Sequence, residues 1–325
     1  MSSVFPLSLH QRGDAVHDLQ KRLIAAALLD RADCEHGLFC TRTAAAVTVF
    51  QEQRGLPASG ECDTVTWLAL VESSWGFGSR LLYLTSPHMR GDDVALLQSV
   101  LAKLGFDCGR ADGIFGANTL RALTDFQQNY GLTVDGICGV NTIRALERTS
   151  SQSGLGPGIV AVREYETLLA SANHNSRPRI LVGSFSQITK YTRLLVRELR
   201  AAGDDVVTVE SDDPHAHAQT ANSFVADLYF GVVISEVPEV RFEYYQTDSF
   251  VSAGGKLAAE LCAQHVAGFV NLNPAVRGMQ LPVLRETRMP AVVCTLGPRT
   301  SEHELLDLVT PLRTALATWC DNPFH

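Results

Sequence analysis

Apolar residues recur at helical spacing along the first half of the chain. Behind Asp14, which we expect to act as a helix N-cap, Val16, Leu19 and Leu23 follow in steps of three and four. This spacing places the apolar side chains on one face of a helix and leaves the other face polar. The segment therefore predicts an amphipathic helix that packs against a core.

The same pattern returns later in the chain as an internal duplication. Residues 12–14 recur as residues 90–92 with an offset of 78, and after two residues drop out the match continues to Thr66 and Thr142. Each copy contains three short amphipathic segments. We therefore predict two all-α three-helix modules, over residues 1–78 and 79–149.

Strand-length apolar runs alternate with helical patterns in the second half, residues 159–325, which follows a serine- and glycine-rich connector at 150–158. The predicted strands cover residues 180–182, 206–209, 228–234, 241–245 and 291–295, and the predicted helices cover 189–202, 251–266 and 302–319. Such alternation predicts an α/β domain in which helices cover a sheet.

The composition of the chain limits the kinds of molecule that we expect it to bind. The 325 residues are 46% hydrophobic and 19% charged, with a net charge of −8, and they contain no cluster of Lys and Arg. This balance argues against a nucleic-acid or anionic-membrane surface and favours a protein or small-molecule partner. We find neither a secretory signal nor an apolar run of roughly 20 residues, so we expect a cytoplasmic protein without a membrane span.

The eight cysteines leave three interpretations open. Cys34 with Cys62, and Cys108 with Cys138, fall at related places in the two copies, so one disulfide per copy is conceivable. Free thiols are the commoner state in a reducing cytosol. A zinc set of Cys34, His36, Cys40 and Cys62 is the third interpretation, although its spacing is irregular.

The second copy resembles the peptidoglycan-binding three-helix module. The matching residues are Asp112, Gly113, Phe115, Gly116, Thr119, Asp135 and Gly136, which are our candidate functional residues in this half. We expect Gly113, Gly116, Gly136 and Gly139 to occupy turns where a side chain would clash. The first copy departs from the pattern at residues 35–37 and 59–61. An alternative is that both modules are protein-docking surfaces.

Residues 282–297 resemble the last core strand of the zinc-dependent N-acetylmuramoyl-L-alanine amidases. This resemblance implies a general-base glutamate where Thr295 stands and a histidine ligand where Val233 stands. It also implies a histidine near residues 183–186 and a glutamate within 167–197, and neither occurs there. Because zinc hydrolysis needs about three ligands and an open water position, we expect no catalytic residue, no metal and no cofactor.

The pocket that the zinc centre of an amidase would occupy still has candidate binding residues, namely Ser184, Gln187, Arg285 and Thr295. Arg285, which we place at a strand end, is suited to hold a carboxylate through two parallel hydrogen bonds, or to form a structural ion pair. We place His215 and His217 in a polar loop beside Pro214, as surface or hydrogen-bonded histidines.

The combination of two such modules with an amidase-like domain resembles a family of actinobacterial pseudo-amidases. That resemblance implies a mixed, twisted sheet and a non-catalytic regulator that binds and activates UDP-N-acetylglucosamine 1-carboxyvinyltransferase, the enolpyruvyl transferase of wall synthesis. It also raises a serine/threonine kinase or a phosphopeptide-binding protein as a partner, although the chain ends at His325 without the threonine-rich tail on which some members are phosphorylated. Two alternatives stay open: a zinc amidase with rearranged ligands, and a sensor of peptidoglycan fragments or lipid-linked precursor.

Overall fold

The computed structural model describes residues 5–150, 178–185, 189–234, 240–247, 250–267, 273–297 and 306–322. The chain forms two compact units, Met1–Val160 and Ala161–His325. Apart from Ser150, the predicted connector at 150–158 lies outside the described residues. The finer division into two modules, connector and amidase-like domain stays a prediction.

The described part of the first unit contains six α-helices, three in each copy. They are α1 (Asp14–Ala25), α2 (Thr41–Gln53), α3 (Thr64–Ser73), α4 (Asp92–Lys103), α5 (Ala117–Asn129) and α6 (Val140–Ser150). Each set of three surrounds its own apolar core, centred on Phe39 and Phe50 in the first copy and on Phe115 and Phe126 in the second. The predicted all-α architecture is confirmed.

The start of α1 differs from the expectation. Gly13, not Asp14, holds the N-cap position, and no side chain caps the helix. Asp14 is instead the first helical residue, where its negative charge lies near the positive end of the helix dipole.

A buried glutamine side chain connects four of the helices to the turns that follow them. Its amide oxygen accepts a hydrogen bond from the N–H of a turn glycine at 2.8–2.9 Å, and its amide nitrogen donates to a threonine hydroxyl of the next helix at 3.0–3.4 Å. The four sets, called glutamine clamps below, are Gln20–Gly37–Thr43, Gln51–Gly60–Thr66, Gln98–Gly113–Thr119 and Gln127–Gly136–Thr142.

The clamps explain which turn glycines are required. The four clamp glycines have φ angles between +68° and +74°, a region that favours glycine. Gly116 has a φ of −98°, and a Cβ there would meet no atom within 4 Å. At Gly139 a Cβ would make only an ordinary 3.6 Å contact. The expected clash is therefore wrong at Gly116 and Gly139.

The two copies are joined by an ion pair and a cation–π contact. Arg54 of the first copy forms a bidentate pair with Asp92 of the second, with N–O distances of 2.9 and 2.6 Å. Arg80, at the start of the second copy, pairs with the buried Asp93 of the same copy at 2.7 and 3.0 Å, and its guanidinium lies 4.3 Å from the ring centroid of Trp75 in the first copy. These contacts fix the start of the second copy against the end of the first.

The described part of the second unit contains six strands and five α-helices. The strands are β1 (Arg179–Ser184), β2 (Asp205–Glu210), β3 (Leu228–Ile234), β4 (Arg241–Tyr245), β5 (Ala275–Met279) and β6 (Ala291–Leu296). The helices are α7 (Thr189–Ala202), α8 (Pro214–Phe224), α9 (Ala253–Ala267), α10 (Pro282–Glu286) and α11 (Val309–Asp321).

The sheet is mixed, with strand order β2-β1-β3-β6-β4-β5. Neighbouring strands run parallel except for β4 and β6, which are antiparallel. One face, called the core face below, packs against α7, α9 and α11 through side chains such as Val182, Phe230 and Cys294. Helices α8 and α10 pack on the second face. The predicted α/β domain with a mixed sheet covered by helices is confirmed.

Three elements were not predicted. The segment with His215 and His217 is the helix α8 and not a polar loop, because Asp213 caps its N-terminus and Pro214 fits its first turn. Within residues 282–297, only β6 is a strand, while Pro282 begins the short helix α10. Strand β5 at the sheet edge is only partly buried, so its sequence lacks a continuous apolar run.

All eight cysteines are free thiols. The two disulfides considered from the sequence, Cys34–Cys62 and Cys108–Cys138, are not formed. Burial raises the pKa of Cys62, Cys108 and Cys138 to about 12. These three thiols therefore carry almost no thiolate at neutral pH and act as small core residues.

We predict that Gln127→Leu destabilises the protein by about 2–4 kcal/mol, because the buried N–H of Gly136 loses its acceptor and the Thr142 hydroxyl keeps only the Ile137 carbonyl as a partner. The free energy of unfolding, measured by urea denaturation with circular dichroism, tests this. The control is Gln128→Leu, an exposed position on the same helix, which should change stability by less than about 0.5 kcal/mol. Equal effects at both positions would contradict a clamp at Gln127.

Candidate functional site

The second face of the sheet brings together two positions that the sequence singled out. Thr295 of β6 lies directly opposite Val233 of β3 and, on its other side, opposite Arg241 of β4. Paired residues of neighbouring strands share a face of the sheet, so these three side chains lie side by side. This cluster is the candidate site.

A buried carboxylate, which the sequence reasoning missed, completes the candidate site. The hydroxyl of Thr295 donates a 2.9 Å hydrogen bond to Oε2 of Glu243 on β4, and both residues are buried. The sequence did contain one indication of this carboxylate, an acidic residue in the middle of the short strand Arg-Phe-Glu-Tyr-Tyr. Charged residues are almost never fully buried unless they are paired, so such a residue marks a special environment.

The electrostatics of Glu243 are set by burial. Desolvation raises its pKa above the usual value, while the hydrogen bond from Thr295 and the positive charges of Arg241 and Arg277 act in the opposite direction. Arg277 of β5 is the direct neighbour of Glu243 in the sheet. The candidate site thus holds a carboxylate whose charge two arginines and one hydroxyl partly compensate.

Aromatic side chains fill the second face beside β1 and β3. The fully buried His217 of α8 stacks on Phe185, with ring centroids 4.0 Å apart, and its Nδ1 lies 2.8 Å from the Tyr229 hydroxyl. Its Nε2 lies 2.9 Å from the carbonyl oxygen of Ser211. A carbonyl only accepts, so Nε2 carries the proton and Nδ1 accepts from Tyr229. His217 is therefore a neutral, hydrogen-bonded core histidine.

Two glycines make room for this aromatic cluster. A Cβ at Gly183 would collide with the His217 ring and the Tyr229 hydroxyl, and a Cβ at Gly231 would collide with the same hydroxyl at 2.6 Å. Gly183 and Gly231 are paired across β1 and β3. Their missing side chains form the space in which Tyr229 and His217 lie over the sheet.

Two of the other predicted pocket residues lie on different elements. Ser184 pairs with Val232 on the core face, so its side chain points away from Thr295. Arg285 lies in α10 and not at a strand end, because Pro282 opens a helix there. Gln187 lies outside the described residues. Of the predicted contacts that the structure describes, Thr295 lies in the candidate site and Ser184 faces away from it, while Arg285 lies on α10, which packs on the same face of the sheet.

The described residues do not fit an amidase zinc centre. The aliphatic side chain of Val233 offers no donor atom, and the neutral hydroxyl of Thr295 already donates to Glu243. Within the described ranges, no group of three or more His, Cys, Asp and Glu side chains is placed to hold a metal ion. That finding extends to the set of Cys34, His36, Cys40 and Cys62.

In the first unit, the candidate residues of the second copy serve the fold. Thr119, Asp112 and Gly113 bond to Gln98, while Asp135 and Gly136 bond to Gln127. Phe115 is fully buried and Gly116 is the N-cap of α5. The hydrogen bond from the Ile137 N–H lowers the pKa of Asp135 and keeps it an acceptor. These residues stabilise the turns of the second copy, and their role in binding stays a prediction.

In the first copy, other groups occupy the places of the two aspartates. The carbonyl oxygen of Glu35 accepts from Gln20 at 3.1 Å, and the hydroxyl of Ser59 accepts from Gln51 at 3.1 Å. The departures at residues 35–37 and 59–61 therefore preserve the glutamine clamps.

Comparison with known proteins adds three similarities. A sequence profile of the "Putative peptidoglycan binding domain" family matches residues 12–70 and 90–146. The chain is 32% identical over 348 residues to the N-acetylmuramoyl-L-alanine amidase CwlM of Mycobacterium tuberculosis, an alignment that covers 94% of this chain and 85% of that protein. An N-acetylmuramoyl-L-alanine amidase structure from Clostridium difficile 630 matches 45% of this chain and 98% of its own, with 16% identity and a TM-score of 0.37.

No helix within the described ranges combines the length and hydropathy that a membrane-spanning segment needs.

We predict that Thr295→Val destabilises the protein by about 1–3 kcal/mol, because the buried Glu243 carboxylate loses a hydrogen bond. In a Glu243→Leu background the same change should be nearly neutral, since no acceptor is left. Urea denaturation of the four proteins of this double-mutant cycle gives the coupling energy. A Thr295→Val cost that is unchanged by Glu243→Leu would rule out the hydrogen bond as its cause.

We also predict a pH dependence that originates at His217. Burial lowers its pKa, against the opposing effects of the Ser211 carbonyl, Asp213 and Asp212. The unfolded chain therefore binds more protons at this residue once the pH falls below about 6.5, so its stabilising contribution is full above that pH and is lost on acidification.

His217→Gln keeps one donor and one acceptor and removes the titration. Urea denaturation between pH 5 and pH 8 should show a smaller loss of stability on acidification for this variant than for the unmodified protein. His88→Gln, a change at an exposed histidine, is the control and should leave the pH dependence as it was. Identical pH profiles for the unmodified protein and His217→Gln would contradict the prediction.

Proposed function

The chain belongs to the family of the N-acetylmuramoyl-L-alanine amidase CwlM, and from this premise we propose that it is a non-catalytic, cytoplasmic regulator of peptidoglycan synthesis. In this proposal it binds and activates UDP-N-acetylglucosamine 1-carboxyvinyltransferase. It also senses peptidoglycan fragments or lipid-linked precursor. CwlM is named as an amidase, whereas we propose that this chain has no amidase activity.

The pairing of Val233 with Thr295 carries the proposal. The amidase resemblance assigns a metal ligand to the first position and the general base to the second, and the structure places the two side by side on β3 and β6. An isopropyl group binds no metal, and a threonine hydroxyl takes up no proton at neutral pH. The nearest buried carboxylate, Glu243, already accepts from Thr295.

Charge supports a protein or small-molecule partner over nucleic acid. The net charge is −8, and the sequence has no Lys and Arg cluster. A serine/threonine kinase or a phosphopeptide-binding protein is part of the proposal as a second kind of partner, because the family resemblance implies control by phosphorylation. The transferase is the primary partner.

A zinc amidase with rearranged ligands is the second candidate function. The observation that favours it is Glu243, a buried carboxylate on the second face of the sheet with a raised pKa. Perturbed carboxylates of this kind occur at catalytic sites as well as in structural networks. In that reading Glu243 would take the role of the base from a neighbouring strand.

We predict that the purified chain raises the rate of its cognate transferase severalfold in a coupled phosphate-release assay, with saturation as its concentration increases. An unrelated acidic protein at the same concentration is the control and should have no effect. Absence of both binding and acceleration, measured at micromolar concentrations of each protein, would refute the activator proposal.

The second candidate is tested in the same preparation. Zinc content of protein purified without added metal, together with muropeptide cleavage in the presence and absence of a chelator, distinguishes the two functions. The regulator proposal expects substoichiometric zinc and no cleavage. Stoichiometric zinc with chelator-sensitive cleavage that is lost in Glu243→Gln would establish the amidase.

A further inference from the structure

Two of the eight cysteines differ from the others in their surroundings and lie close together in the sequence. Cys34 and Cys40 of the first copy are partly exposed. Five other cysteines are buried, and burial together with nearby acidic residues raises the pKa of the sixth, the partly exposed Cys320. Thiol chemistry is therefore most accessible at Cys34 and Cys40.

Cys34 and Cys40 flank the turn that the first glutamine clamp holds. The Leu38 N–H donates to the Glu35 carbonyl at 3.1 Å, which closes a turn between the two cysteines. The side-chain nitrogen of Gln20 donates to the same Glu35 carbonyl at 3.1 Å and to the Leu38 carbonyl at 2.9 Å. One nitrogen thus holds both ends of the turn, so the chain reverses its direction between Cys34 and Cys40.

Cys40 has the surroundings of a reactive thiolate. It holds the N-cap position of α2, where Sγ makes no capping hydrogen bond of full geometry. The N–H groups of Arg42 and Thr43 at this helix start nevertheless stabilise a negative charge on the sulfur. Burial raises the pKa of Cys40, but the Thr43 hydroxyl and these N–H groups outweigh burial and lower the pKa overall. The thiolate form is the nucleophile in thiol chemistry.

The first glutamine clamp orients the hydroxyl group that faces Cys40. Thr43 Oγ1 accepts a 3.4 Å hydrogen bond from Gln20 and lies 3.5 Å from Cys40 Sγ. Because the oxygen already accepts from Gln20, its own hydrogen is left to donate to the sulfur. The second copy keeps the same clamp with Gly116 at the place of Cys40. The fold of a copy therefore does not require a thiol at this position.

Cys34 is placed to act as the partner of Cys40. Burial, and after it the negative charge of Cys40, raises the pKa of Cys34, an effect that needs the two thiols to be neighbours. Cys62, the partner considered for Cys34 from the sequence, is fully buried, and burial raises its pKa to about 12. A partly exposed cysteine of lowered pKa beside a second cysteine is typical of thiol redox sites.

We propose that Cys34 and Cys40 form a peroxide-sensitive dithiol site that oxidation converts into a reversible disulfide. The Cys40 thiolate attacks one oxygen of a hydroperoxide, the O–O bond breaks, and the leaving oxygen takes up a proton and departs as an alcohol, or as water from hydrogen peroxide. The Cys34 sulfur then attacks the sulfenic acid at Cys40, whose oxygen leaves as water. The two thiols lose two hydrogens in total, and the peroxide is reduced.

The proposed disulfide closes the turn covalently, and a dithiol reductant reopens it by thiol–disulfide exchange. Disulfides that form and break in this way are the kind found in reducing compartments. The inference stands apart from the proposed function, because it uses neither the residues of the second unit nor a wall-synthesis partner.

The test uses the full chain, in which both cysteines fall within one tryptic peptide, residues 32–42. Reduced protein is treated with hydrogen peroxide, free thiols are blocked with iodoacetamide, and the digest is analysed by mass spectrometry. We expect this peptide to lose two hydrogens and to escape alkylation, whereas dithiothreitol added before blocking should restore both alkylations. Digestion after Glu35 cuts between the cysteines, and the two fragments should stay joined until they are reduced.

Single variants assign the roles of the two thiols. Cys40→Ser should abolish oxidation of the peptide, whereas Cys34→Ser should accumulate a sulfenic acid at Cys40 that dimedone traps. In the unmodified protein, iodoacetamide should alkylate Cys40 at least about 10-fold faster than Cys34 at pH 7. Thr43→Val should slow that alkylation severalfold, and Thr43→Ser, which keeps the hydroxyl, should restore it. Cys320→Ser is the control and should change none of these results, and circular dichroism checks the fold of each variant.

Several results would overturn the proposal. They are alkylation of both cysteines after peroxide treatment, equal alkylation rates for Cys34 and Cys40, and a disulfide that joins Cys34 to Cys62 or to a second chain. Release of stoichiometric zinc by peroxide would also overturn it, since the thiols would then be metal ligands. A Cys34–Cys40 disulfide in a chain that activates no transferase would uphold the site and refute the regulator, and activation without the disulfide would refute the site alone.

Discussion

A polar group taken out of water must meet another polar group, and this constraint governs both units of the chain. In the first unit, the amides of Gln51 and Gln127 each satisfy a turn glycine, a threonine and a further acceptor. In the second, Thr295 meets Glu243 on the sheet, and His217 lies between Tyr229 and a carbonyl. The positions of these hydrogen-bonded groups therefore decide which residues of each unit can change without loss of the fold.

The glutamine clamps show how the two copies diverged without loss of the fold. An aspartate, a serine hydroxyl or a backbone carbonyl can each accept the same amide hydrogen, as Asp112, Ser59 and Glu35 do. The turn sequence is therefore free to change while the hydrogen bond is kept. Half-buried positions outside the clamps, such as Ala44 and Leu120, can differ between the copies, because no buried polar group depends on their side chains.

The second unit has an amidase-like scaffold, and two positions on one face, Val233 and Thr295, lack the side chains that the amidase resemblance implies there. The core face is mostly apolar, and the three helices that pack against it restrict which side chains fit there. The second face carries Val233, Thr295 and Glu243, together with the aromatic cluster around His217. A family resemblance to a hydrolase and a role without hydrolysis are compatible, because fold and chemistry reside in different residues.

The sequence by itself determined the repeat and most regular elements. Strands β3 and β4 and helix α7 begin and end where the apolar pattern placed them, at 228–234, 241–245 and 189–202. Periodicity is local: it depends on neighbouring residues along the chain. The motif at residues 12–14 and its recurrence at 90–92 were also visible without coordinates.

The tertiary structure decided what depends on pairing and burial. Thr295 was visible as an anomaly in the sequence, whereas its partner Glu243 lies 52 positions earlier and meets it only through the antiparallel pairing of β4 with β6. Ser184 and Thr295 look equivalent as strand-end hydroxyls, yet strand register turns them to opposite faces. Register and burial are non-local properties, and the apolar pattern of one segment does not encode which other segment will cover it.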